Sequence, residues 1–83
     1  MTTHTKTAEE MAHEAIMTAK KTPDVGLEAL YEAVDLMAES DDGFEMAIAE
    51  AWHYATRDQK TKLLYTFEDL FKSYLEAIYD TDN

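Results

Sequence analysis

Eighty-three residues, 46% of them hydrophobic and none of them cysteine, suit one small folded domain without a disulfide framework or thiolate chemistry. Eighteen acids against seven bases leave a net charge of −11, which repels nucleic acid and acidic membranes as direct ligands and favours a basic partner. No apolar run approaches the ~20 residues of a membrane span, and the polar opening Met1–Thr7 lacks the apolar centre of a signal peptide, so a soluble cytoplasmic protein is expected.

Residues 1–6 are expected to fray. Thr7, followed three residues later by Glu10, fits a capping box, with the hydroxyl taking the Glu10 amide and the carboxylate reaching back. A first helix is predicted over 8–21. Ala8, Ala12, Ala15 and Ala19 form a stripe of small side chains that allows close approach, expected onto the Ala29/Ala33 side of the next helix. Lys20 and Lys21 suit the negative carboxyl end of the helix dipole. Thr22-Pro23 ends this helix and opens the second.

The second helix, Asp24–Glu39, is the stretch around which the chain is organised. At 100° per residue, Leu27, Leu30, Tyr31, Val34, Met37 and Ala38 share one face. Val25, Ala29, Ala33 and Leu36 share most of the opposite side. Asp24, Glu28, Glu32, Asp35 and Glu39 fall in one narrow arc. The expectation is a helix buried around most of its girth, with one acidic ridge exposed.

Ser40–Gly43 is the next break, where Asp42 can cap a third helix with Glu45 at the third position. Phe44, Ala47, Ile48, Ala51, Trp52 and Ala55 lie broadly together in that helix. Extending their stripe by helical steps reaches Gln59, Lys62, Thr66 and Asp69, which are polar. The slip in phase predicts a turn near Thr56, with Thr56 as cap and Gln59 as the matching third residue. A fourth helix then carries Leu63, Leu64, Phe67, Leu70, Phe71, Tyr74, Leu75 and Ile78 inward and ends near Tyr79, with 80–83 fraying. The predicted fold is all-α, a compact bundle of four helices joined by short turns.

Charge carries the functional expectation. Residues 22–56 hold nine carboxylates and no lysine or arginine. These are Asp24, Glu28, Glu32, Asp35, Glu39, Asp41, Asp42, Glu45 and Glu50, the candidate partner-binding residues. Any exposed ridge must be polar, and acids dominate the composition, so the ridge also has a plain reading as a solvated surface. A row of carboxylates on a rigid helix can equally mimic DNA, offering a phosphate-binding groove the charge pattern it expects and excluding the true ligand. In size and composition the chain resembles small acidic inhibitors of phages and mobile elements, such as anti-restriction and anti-CRISPR proteins, although no family motif accompanies the resemblance. It implies a basic, nucleic-acid-binding protein partner.

A second class of function is a structural or regulatory subunit, with acidity serving solubility. Tyr65, Lys72 and Tyr79 recur at seven-residue steps off the apolar arc of helix four and could join a homodimer or complex. Metal and catalytic signals are weak. His4, His13 and His53 form no ligand pair at helical spacing. Ser40–Gly43 lacks the alternating ligands of a calcium loop. Ser40 and Ser73 have no visible histidine partner. No metal, cofactor or enzymatic activity is expected.

Overall fold

Residues with a known capping chemistry set most of the helix boundaries. The computed structural model describes residues 6–82, and side chains for residues 6–80. Every regular element among them is helical: α1 (Ala8–Lys21), α2 (Pro23–Gly26), a 3-10 segment (Leu27–Leu30), α3 (Tyr31–Ala38), α4 (Gly43–Tyr54), α5 (Arg57–Thr66) and α6 (Glu68–Asp82). α2, the 3-10 segment and α3 follow without interruption, so that residues 23–38 make one rod with a tightened middle. Counted this way, the described residues form five helices, not the four expected. The expected fraying of residues 1–5 and of Asn83 lies outside the described residues.

α1 begins as its sequence dictates. The Thr7 hydroxyl accepts from the Glu10 backbone N–H at 3.1 Å, and the Glu10 carboxylate accepts from the Thr7 N–H at 2.9 Å. The Thr7 backbone N–H, which donates to the carboxylate and so favours its charged form, does most to hold the Glu10 carboxyl below its ordinary value, and the Thr7 side chain adds to the effect. Ala12, Ile16 and Ala19 are buried, and α1 packs most extensively along α6.

Pro23 then opens α2 at a position where no amide is needed. The small residues do bring two backbones together, but at Gly26 and Ala19. A Cβ on Gly26 would stand 2.5 Å from the Ala19 Cα. Of the two predicted partners on the second helix, Ala33 is buried and Ala29 is exposed.

The 23–38 rod is buried on one side only. Leu27, Leu30, Ala33, Val34 and Met37 are inside, whereas Val25 is 71% exposed and Leu36 and Ala29 also face water. The expectation of burial on two sides fails because a domain this small has no second layer to supply. Small and medium apolar side chains are common on protein surfaces.

Asp42 caps α4 as predicted, accepting from the Phe44 N–H at 2.8 Å and the Glu45 N–H at 3.3 Å. The Ser40 hydroxyl accepts from the Asp42 N–H at 3.0 Å and tightens the turn. The Glu45 side chain does not reach back to the cap. It accepts from the Tyr74 hydroxyl of α6 instead. That hydrogen bond, together with burial, raises the Tyr74 phenol above its usual value.

Thr56 and Gln59 close a full capping box at the start of α5, at 3.2 and 2.9 Å. The break that sequence does not announce is at Phe67, with φ −117° and ψ 37°. It divides the predicted fourth helix into α5 and α6. The core lies where α1, α3, α4 and α6 converge, around Trp52 and Phe71, whose rings are 5.2 Å apart. Each such side chain contributes on the order of 1.5–3 kcal/mol by leaving water. Among the described residues the Trp52 Nε1–H has no hydrogen-bond acceptor.

Candidate acidic interaction surface

The core face of the 23–38 rod determines where its carboxylates go. The buried residues occupy one arc, and the acidic arc lies roughly opposite at 100° per residue. Asp24, Glu28, Glu32, Asp35 and Glu39 are accordingly all exposed. From Asp24 to Glu39 they span about 22 Å at 1.5 Å per residue.

Three of the seven bases are paired elsewhere. Lys6 pairs with Glu14 at 2.6 Å, Lys20 with Glu68 at 2.5 Å and Lys72 with Glu9 at 3.7 Å. Glu28, Glu32, Asp35 and Glu39 have no base within ion-pair distance among the described residues. Asp24 differs, because Arg57 lies 2.6 Å away, with both side chains more than 60% exposed. Such a pair is worth about 0–1 kcal/mol. Lys60 stands beside it, donating to the Tyr31 hydroxyl at 3.2 Å and lying 5.3 Å from the Tyr31 ring centre.

Folding thus gives the ridge a neutralised end at Asp24 and an open end at Glu39. A stretch free of bases in sequence receives two of them from α5. Sequence order hid this, since Arg57 lies 33 positions beyond Asp24.

The remaining candidates divide. Asp41 and Glu50 are exposed and unpaired among the described residues. Asp42 is occupied by two backbone amides and Glu45 by Tyr74, so neither carboxylate is free in the way the ridge acids are. Tyr65, Lys72 and Tyr79 do not share one helix, because the break at Phe67 leaves Tyr65 on α5 and the others on α6. Lys20 of α1 lies 4.6 Å from the Tyr65 ring centre, Lys72 reaches α1 through Glu9, and Tyr79 borders a hollow with Met11 and Ala15. All three are turned toward α1.

Among the described residues no group of three or more His, Asp or Glu side chains could hold a metal ion. His4, one of the weak sequence candidates, lies outside the described residues. No described helix is long and apolar enough to cross a membrane. Comparison with known proteins gives no matching family model and no significantly similar curated protein or solved structure.

Proposed function

We propose that this is a small, cytoplasmic, non-enzymatic binding protein that occupies a basic surface of a nucleic-acid-binding partner and so excludes the true ligand. The observation that carries the reading is the outward row Glu28, Glu32, Asp35 and Glu39 along a packed rod and its C-cap, with no base within ion-pair distance among the described residues. Asp41 and Glu50 are exposed acids that add to the same negative field. A partner meets this surface first through long-range steering and then through carboxylate pairs to lysine or arginine.

Charge density refines the mechanism. Four carboxylates between Glu28 and Glu39 give roughly one charge per 5 Å of helix axis. One DNA strand carries a charge per about 3.4 Å. The ridge therefore offers a groove a row of charge of the same order as a DNA strand, which is the electrostatic part of DNA mimicry. Inhibition of the anti-restriction or anti-CRISPR kind is one form this binding takes.

The test is capture from lysate on immobilised protein, eluted by a salt step, beside a Glu28→Lys/Glu32→Lys/Asp35→Lys variant of unchanged helix content. A nucleic-acid-binding protein released by salt and lost on charge reversal supports the reading. Equal capture by both proteins refutes it.

A further inference from the structure

α4 carries Gly43, Ala47, Glu50 and Tyr54 at steps of four, three and four, within an arc of about 60°. Together with Met46 and with Ala38 of α3 they border a hollow of about 620 Å³. It adjoins the open end of the acidic ridge, since Ala38 comes three residues after Asp35 and one before Glu39. The walls are of two kinds. Ala38, Met46 and Ala47 offer apolar surface. Glu50 offers a carboxylate with no base within ion-pair distance among the described residues, and Tyr54 offers a ring whose side chain is 83% exposed. All the lysines and Arg57 lie outside the segments that border the hollow, and His53 is the one titratable nitrogen at its edge.

Gly43 leaves space at this border that nothing in the fold requires. Its φ is not positive, so backbone conformation does not demand glycine. A Cβ there would meet nothing within 4 Å, whereas at Gly26 it would strike the α1 backbone.

We infer that the hollow receives an arginine side chain of the basic partner, at the point where the ridge ends. The inference rests on the proposed function and narrows it to a partner residue type. A guanidinium is planar, stacks on an aromatic face and offers two parallel N–H groups to one carboxylate. It is also more weakly hydrated than an ammonium, and its stem covers apolar walls such as Ala47 and Met46. Tyr54 lies one turn beyond Glu50, about 6 Å along the axis, so a single guanidinium can meet both the carboxylate and the ring. The rod offers no such choice. Its one aromatic, Tyr31, is already engaged by Lys60, so the ridge acids accept lysine and arginine alike. The hollow adds a preference for arginine, and an exposed cation–π contact of this kind changes affinity by roughly two- to fivefold.

Isothermal titration of the whole chain with octa-arginine and with octalysine, probes of equal charge, tests this at low salt and pH 8, where histidine side chains are ordinarily neutral. Octalysine reads the ridge, and the difference between the peptides reads the hollow. Octa-arginine is expected to bind roughly two- to fivefold more tightly. Tyr54→Ala is expected to lose that margin while its octalysine affinity and circular dichroism spectrum stay unchanged. Gly43→Leu, which places an apolar side chain in the open space, is expected to do the same. Equal binding of the two peptides, or a margin untouched by both substitutions, overturns the inference and leaves the proposed function standing. Octalysine affinity indifferent to Glu28→Lys/Glu32→Lys/Asp35→Lys overturns the ridge reading, and with it the basic partner on which the inference rests.

Discussion

Gly26→Ala is the substitution whose outcome follows most directly from the packing. Gly26 has an ordinary helical φ of −71°, so a side chain is excluded by space and not by backbone conformation. The added Cβ would lie 2.5 Å from both Cα and N of Ala19 and 2.7 Å from the Thr18 carbonyl carbon. Ordinary contact begins near 3.4 Å, so α1 and α2 must separate by about 1 Å. The three nearest atoms are all backbone, so rotation of a side chain does not relieve the clash. Overpacking of this kind costs about 1–3 kcal/mol, and the upper end applies here. Replacing glycine by alanine in a helix returns about 0.4–1 kcal/mol through the unfolded chain. The net expectation is destabilisation by about 2 kcal/mol, a fall of roughly 10 °C in Tm for a domain of this size. Urea and thermal melts followed by circular dichroism measure it. Gly43→Ala is the control, since a Cβ there would meet nothing within 4 Å and the φ of Gly43 is not positive; it should be neutral or stabilising by up to about 1 kcal/mol. A Gly26→Ala protein as stable as the wild type would refute the close α1–α2 contact.

Other perturbations read individual contacts. Tyr74→Phe removes the hydroxyl that donates to the Glu45 carboxylate and should cost about 1–2 kcal/mol at neutral pH. The raised Tyr74 pKa means this contribution is intact below the unfolded value near 10 and is lost as pH rises through the folded value. Wild-type stability should thus fall at alkaline pH more steeply than that of Tyr74→Phe. The lowered Glu10 pKa has the opposite sign. Its contribution is present above the ordinary glutamate range and disappears as pH falls through the folded value, so acid titration of stability should flatten in Glu10→Gln, which keeps the acceptor without the charge. Thr56→Ala removes the α5 cap and should lower stability by about 1 kcal/mol in urea melts.

The parts of the fold written in local chemistry were legible, and those depending on long-range placement were not. Thr7 with Glu10 and Thr56 with Gln59 announce helix starts because each satisfies amide groups a few residues away. The slip in hydrophobic phase located the turn before α5. Phe67 offered no such signal, having no glycine or proline beside it, and a one-residue break barely disturbs a broad apolar stripe. Periodicity also says which residues are apolar together, not which of two apolar faces finds a neighbour. That is why periodicity groups Phe44, Ala47 and Ala51 with Trp52, although the structure turns them to water. For the acidic surface, sequence placed the ridge on one arc, and that arc is exposed. It missed the approach of Arg57 to Asp24 and the diversion of Glu45 to Tyr74, because both depend on how distant helices dock.

Glu32→Lys separates a ridge maintained for binding from one that is merely solvated. Glu32 has Glu28 four residues before it and Asp35 three residues after it, and each like-charge pair weakens the helix by about 0.2–0.5 kcal/mol. The substitution converts both repulsions to attractions, with Glu28 placed on the N-terminal side, the better orientation for a glutamate–lysine pair. The expected gain is about 1 kcal/mol, or roughly 5 °C in Tm, which is a noticeable share of the ~4–12 kcal/mol available to a chain of this length. No packing is disturbed, because the position is exposed. Salt should shrink the gain, as it screens both the old repulsion and the new attraction. A ridge that engages a basic partner should lose affinity in the same variant that gains stability, the two quantities moving in opposite directions. Thermal melts at two salt concentrations and binding to the salt-eluted partner are the paired measurements. A variant that is more stable and binds equally well would show that Glu32 serves solvation and would remove the centre of the proposed site.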